Sequence, residues 1–417
     1  MGYFSCSTRA PSPENKPVLH WPLRSGRTMS KPPAQRIRKF RLESPQRIAA
    51  LLLMMFTAQC LLVLGANQAT PSDIHYTTCG SQMWAAYSSN TLNPAYCPKI
   101  TEGPLAYRAA GLPLAIHNWL AGLPADAEPT NLFITLNHLA FWLRLPFLLA
   151  GIGLGACLWW VTRRLFGDPG GYVALGLYCF TPPIILNSAL PNNGILAAFG
   201  IFAAIYTAMG VAHAMQGPRR RWIKRIVLLA ITLGFTAAAS IPAFLLALVI
   251  GTGLLIWLAE DRRKFLPVLT LIWTTGALLI FFAASGFQPS AFGAFLHLLP
   301  VASGTLFLPH FVLGTSTAPI RIALVIAVIG YAVMRRARYF GNTTPLGIAA
   351  LLILLAASSI TPSAWLWTIP FLFTFMGGVY ADLLESRLRT PALLVCSLVL
   401  LAQALFSLGA LSSMIIR

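Results

Sequence analysis

Residues 67–142 hold the side chains of this chain whose types could do chemistry outside the cytoplasm. The segment opens with Pro71-Ser72-Asp73-Ile74-His75-Tyr76 and goes on to Glu102, Arg108 and the Asp126-Ala127-Glu128 step. Asp73 follows a few residues after a long apolar stretch, where a carboxylate could take a proton at the membrane surface. His75 could assist it or contact an anion. Glu102 is the next carboxylate along. Asp126 and Glu128 form a weaker pair, since Ala-Asp-Ala-Glu-Pro reads as an exposed turn before a helix start at Thr130. That pair also resembles a divalent-ion clamp, but the expectation is no metal and no cofactor. A solvated loop residue or a helix cap is the plain alternative for Asp73.

The elements that must position these groups are membrane helices. Of 417 residues, 57% are hydrophobic and 10% charged, more apolar surface than a soluble chain could bury. The expectation is an all-α polytopic protein with about eleven transmembrane helices and its N-terminus inside. The first covers about 48–65. The others are expected near 143–162, 171–190, 194–214, 225–240, 242–258, 265–285, 319–334, 344–360, 364–383 and 391–413, each near the ~17–25 residues a bilayer core requires. Residues 1–45 read as a disordered basic cytoplasmic tail, with Met29 an alternative start. Residues 46–66 are the first transmembrane helix, 67–142 the outer loop, and 143–285 helices 2–7. A second outer loop covers 286–318, and helices 8–11 cover 319–417.

Charge distribution supports that orientation. With the N-terminus inside, 25 of the 30 Lys and Arg residues fall on the cytoplasmic side, in the tail and in clusters such as Arg163-Arg164 and Arg262-Arg263-Lys264. Only Lys99, Arg108, Arg144, Arg321 and Arg417 face outward. The net charge of +19 thus sets topology and does not point to nucleic acid. The four outward acids are Asp73, Glu102, Asp126 and Glu128, and none of the eleven lies deep in a predicted span.

The first outer loop is too long for a plain connector. Cys79 and Cys97 lie on its oxidising side, and a disulfide between them is expected, worth ~3 kcal/mol by chain entropy. Tyr76, Trp84, Tyr87 and Tyr96 add aromatic surface, as interface anchors or as a sugar platform. Residues 112–123 and 131–142 read as helices lying on the membrane surface, the second running into the next span.

This arrangement resembles the GT-C superfamily of membrane glycosyltransferases. Asp73-Ile74-His75-Tyr76 through Gly103-Pro104-Leu105 is similar to its polyprenyl-phosphate-mannose-dependent branch. Arg144-Leu145-Pro146 and Arg163-Arg164-Leu165-Phe166-Gly167 are similar to the start and end of that branch's second span. The chain differs in having Ser240 before Ile241-Pro242, where relatives often carry Lys, and only Asn192-Asn193 near 192–194, where relatives often have a second polar or acidic element. The resemblance implies transfer of a sugar, a hexose such as mannose, from a polyprenyl-phosphate donor to a lipid, glycan or protein acceptor, with Asp73 as base. The leaving phosphate needs cations, and Arg321, Arg144 and Arg108 are the candidates; snorkelling at helix ends is their alternative role. Membrane lipids and the lipid-linked sugar are the expected partners, and a bacterial inner membrane the expected location. A non-catalytic GT-C-like envelope subunit and a transporter or flippase of a lipid-linked substrate are the rival readings.

Overall fold

A computed structural model describes residues 44–89, 103–125, 127, 131–215, 220–287, 289, 292–293, 317–333, 339–357, 364–386 and 388–415. Thirteen α-helices are labelled here in chain order. They are α1 (Ser44–Ala66), α2 (Pro71–Ser89), α3 (Pro104–Leu120), α4 (Leu132–Cys179), α5 (Pro182–Ala189), α6 (Asn193–Met215) and α7 (Arg220–Ala239). There follow α8 (Ile241–Leu258), α9 (Leu266–Ala284), α10 (Ala318–Val333), α11 (Tyr339–Ala357), α12 (Ala364–Leu384) and α13 (Arg389–Ile415). Among the described residues, eight helices are long and apolar enough to cross a membrane, and two shorter apolar helices, Ala318–Val333 and Thr343–Leu355, accompany them. The protein is an integral, multi-pass membrane protein.

Local sequence explains the breaks. Within α4, Gly167 takes φ 84°, a left-handed conformation open to glycine, and Pro169 follows. Segments 132–166 and 168–179 are therefore two helices meeting at a bend. Phe180 and Thr181 then end the second, and Pro182-Pro183 starts α5. The stretch 171–190 is thus two helical pieces, because two successive prolines withhold the N–H groups a continuous helix needs. Ser240, extended at φ −156° and ψ 120°, separates α7 from α8, and its hydroxyl accepts from the Ala243 N–H.

Two expectations change in the outer loop. Asp73 does not lie in irregular loop but in the first turn of α2. Residues 132–142 run on into the next span, as the opening turns of α4. The expected helix at 112–123 begins earlier, at Pro104. Helices α2 and α3 cross at Gly80 and Gly111, where a Cβ on Gly80 would stand 1.9 Å from the Tyr107 carbonyl oxygen and 2.8 Å from Gly111 Cα. Below them α12 and α6 run through the interior. Trp367, Phe371, Phe375 and Tyr380 of α12 are buried, as are Ile201, Phe202 and Ile205 of α6.

Candidate functional site

The outer turn between α1 and α2 is tied by one arginine. Arg144, one residue into the predicted second span, is wholly buried at 0% exposure, and Asp73 is exposed by 1%. The guanidinium grips the carboxylate as a fork. Nε donates to Oδ1 at 3.1 Å and Nη2 to Oδ2 at 2.7 Å. Nη1 donates to the carbonyls of Leu64 and Asn67 at 2.9 and 3.0 Å, and Nη2 to that of Gln68 at 3.0 Å. All five N–H donors of the side chain are used. Carbonyls at a helix C-terminus have no partner within the helix, so Arg144 closes the end of α1 while holding the start of α2.

Asp73 completes that start. The Thr70 N–H and hydroxyl both donate to Asp73 Oδ2 at 2.7 Å, and the Asp73 N–H donates to Thr70 Oγ1 at 3.2 Å. This is a reciprocal capping box with Pro71 at the first helical position. Burial presses the Asp73 pKa upward, but the bonds from Arg144 and Thr70 outweigh it and hold the carboxyl below the usual carboxylate value. The Ala69 N–H donates to Asn137 Oδ1 at 2.7 Å, a second tie from α4 to the same turn.

One turn along α2, His75 is half-buried among aromatic rings. Its ring lies edge-on to Tyr107, with centroids 5.7 Å apart, and 5.8 Å from Tyr76. Tyr76 and Tyr107 are themselves 4.8 Å apart, and Cys79 Sγ lies 3.7 Å from His75 Nδ1. Further along, the Arg108 guanidinium stacks over Trp84 at 5.0 Å, and Trp84 Nε1 donates to the Arg108 carbonyl at 2.9 Å. The seam between α2 and α3 therefore holds both a cation and a cluster of rings.

The structure brings Asp73, Arg144, His75 and Arg108 to one outer unit formed by α2, α3 and the top of α4. Arg321 lies in the first turn of α10, which packs mainly on α12 and α13, whereas α2 packs on α3 and α4. Cys97, Glu102, Asp126 and Glu128 lie outside the described residues, and with them the expected disulfide and the acidic pair. Among the described residues, no group of His, Cys, Asp and Glu is arranged to hold a metal. Sequence reading did not pick out Thr70, Asn137 or the three carbonyls. Thr70 had a signal, since Thr-Pro-Ser-Asp is a capping pattern; backbone acceptors have none.

No family model matches the chain, and no curated protein matches it. Solved structures do. ArnT from Cupriavidus metallidurans in the apo state superposes with TM-score 0.56 at 13% identity, over 88% of this chain and 76% of that one. The same enzyme bound to undecaprenyl phosphate gives 0.55 at 13%, over 89% and 75%. The Archaeoglobus fulgidus oligosaccharyltransferase, in complex with Zn and sulfate, gives 0.51 at 11%, over 86% of this chain but only 52% of that longer one. The chain shares the fold of these two membrane proteins. In this fold the outer helices are seated on the spans by the Asp73–Arg144 knot and by the α2–α3 crossing. At such low identity the likeness fixes the fold and not the branch.

Proposed function

We propose that this protein is an integral-membrane glycosyltransferase of the bacterial inner membrane. It takes a sugar from a polyprenyl-phosphate donor on the outer side and passes it to a lipid, glycan or protein acceptor. The observation that carries this reading is a GT-C fold whose outer helical unit gathers a carboxylate, two arginines and a seam of aromatic rings. A structural neighbour bound to undecaprenyl phosphate supports a lipid-linked donor. In the step proposed, the acceptor oxygen attacks C1 of the sugar and the bond from C1 to the phosphate oxygen breaks. The electron pair leaves with the phosphate, the acceptor proton goes to the base, and C1 inverts.

Asp73 is the proposed base, with a condition that the geometry sets. Its carboxylate is buried and bound by Arg144, so a proton can reach it only after Arg144 lets go. The anionic phosphate of the donor has the right charge to draw that guanidinium away. The same locked carboxylate favours the second reading, a non-catalytic GT-C-like envelope subunit.

Asp73→Asn alone is a poor test, because it strands a buried arginine. The informative variant is Asp73→Asn with Arg144→Gln, assayed for transfer from labelled polyprenyl-phosphate sugars in membranes. A folded double variant without transfer, beside an active wild type, supports a role for the Asp73–Arg144 pair in the chemistry. Wild-type transfer by the double variant removes Asp73 from the chemistry. A folded wild type inert with every polyprenyl-phosphate sugar favours the non-catalytic reading.

A further inference from the structure

The fold brings two of the basic clusters together. Helices α7 and α9 run parallel and in close contact. A Cβ on Gly234 would stand 2.6 Å from Ile280 Cβ, and one on Gly276 3.0 Å from Ala230 Cβ. At the inner ends of the same helices the rings of Trp222 and Phe265 meet edge-on, with centroids 5.9 Å apart. Lys224 and Arg225 lie in the opening turns of α7, and Arg263 and Lys264 in the 3-10 turn Glu260–Phe265 that leads into α9. Lys224 and Lys264 are forty positions apart in the sequence, yet the two basic stretches stand at neighbouring helix ends.

Topology asks only that each cytoplasmic loop be basic. It does not ask for two such loops at one spot, where like charges repel. The inner cluster of α4 is answered within the protein, since Arg163 pairs with Asp168 and Arg164 stacks over Trp160 at 5.4 Å. The α7–α9 cluster differs. Among the described residues no carboxylate pairs with Lys224, Arg225, Arg263 or Lys264. Both arginines are steadied by one bond each. Arg225 Nη1 donates to the Gly210 carbonyl at 2.6 Å, and Arg263 Nε to the Ile256 carbonyl at 3.0 Å. A guanidinium carries five N–H groups, so most of these donors remain for a ligand. Lys224, Arg263 and Lys264 are exposed.

The surface next to these cations names the partner. Three and four residues on from Lys224, Val227 and Leu228 are exposed by 52% and 50%, and four on from Lys264, Val268 is exposed by 59%. Both faces continue as exposed apolar surface, through Ile231 on α7 and Leu271 and Ile272 on α9. One helical turn is about 5 Å, so charge gives way to apolar surface over the distance that separates a phospholipid's headgroup from its chains. We propose that the inner ends of α7 and α9 form one site for the headgroup of an acidic phospholipid in the cytoplasmic leaflet. Its phosphate oxygens accept from the two lysines and from the open edges of the two guanidiniums, and its chains lie along the exposed helix faces. Basic pockets at the cytoplasmic ends of neighbouring membrane helices suit such headgroups. A soluble anion makes no use of the apolar half of the surface. This inference does not depend on the proposed enzymatic activity.

The test titrates the full chain, purified in a neutral detergent, with cardiolipin or with phosphatidylcholine and counts bound lipids by native mass spectrometry. The first cardiolipin should bind about tenfold more tightly than phosphatidylcholine, or better. Lys224→Gln and Lys264→Gln should each weaken that first binding about fivefold. Both side chains are exposed, so the thermal midpoints of the lipid-free variants should match wild type. Arg164→Gln, at the inner end of α4, should bind as wild type does. Equal binding of the two lipids, or a first cardiolipin that neither lysine variant weakens, overturns the proposal. Weakening by one lysine variant alone overturns the joint site, and equal weakening by Arg164→Gln reduces it to general charge attraction. Displacement of cardiolipin by an equal concentration of glycerol 3-phosphate overturns lipid as the occupant, because the apolar faces then add nothing.

Discussion

At the scale of single residues, Arg144 is where chemistry and structure meet. A buried guanidinium is tolerable only when its charge and all its N–H groups are answered, and here one carboxylate and three carbonyls answer them. Asp73→Asn or Arg144→Gln alone should each cost about 3–5 kcal/mol, read as a lower midpoint in thermal unfolding in detergent. The double variant should regain part of that loss, because neither charge is stranded. Arg144→Lys should not rescue, since three donors on a point charge cannot serve the same acceptors. The pH dependence follows from the lowered Asp73 pKa. Its contribution is complete above the unfolded carboxylate value of about 3.9 and is lost as pH falls through the lower folded value. Below about pH 4 the wild type should therefore lose stability more steeply than the double variant, by chemical denaturation at stepped pH. The sequence made Asp73 and Arg144 separate candidates. Their pairing across seventy-odd positions was not legible, because nothing local to either residue encodes the other.

At the scale of elements, small residues and prolines decide how helices meet. The α2–α3 crossing exists because Gly80 and Gly111 let two backbones touch. Gly80→Ala should force them apart at a cost of about 1–3 kcal/mol, seen as faster amide exchange in α2 and α3 with exchange in α6 and α12 unchanged. In the broken third span, Pro183 has no N–H for the Cys179 carbonyl, and the Ile184 N–H turns to Thr181 instead. Gln59 of α1 donates to the Cys179 carbonyl at 3.2 Å, and Gln403 of α13 to that of Phe180 at 2.8 Å. Bare carbonyls within a bilayer cost several kcal/mol. Gln403→Leu should therefore cost about 1–3 kcal/mol, measured as a lower midpoint in titration with a denaturing detergent. Carriers turn such unwound carbonyls toward a substrate; these two are already taken by side chains, which weighs against the transporter reading. Proline positions were visible in the sequence, and so was each break in principle. The partners were not, because Gln59 and Gln403 are lone polar residues in apolar runs until folding sets them opposite the gap.

At the scale of the whole molecule, apolar length and basic clusters carried most of the architecture. Each predicted span falls at least in part on described helix, with 171–190 broken at Phe180 and Thr181, and Asp73, His75, Arg108 and Arg144 converge on one outer unit. Length alone stops short of a count. The bent α4 is one long helix by length and parts of two spans by topology, while α10 and the Thr343–Leu355 part of α11 are shorter than the other eight. Parity gives a test that length does not. With the N-terminus inside, an odd number of crossings leaves the end of α13 outside, and eight would leave it inside. The charge pattern favours the odd count, because eleven crossings put Arg335, Arg336, Arg338, Arg387 and Arg389 on the cytoplasmic side. A reporter fused after α13 should therefore be active as alkaline phosphatase and dark as green fluorescent protein in the bacterial inner membrane. The reverse pattern would mean that one of the helices after α9 does not cross, and α10, at 16 residues, and the Thr343–Leu355 part of α11 are the short ones.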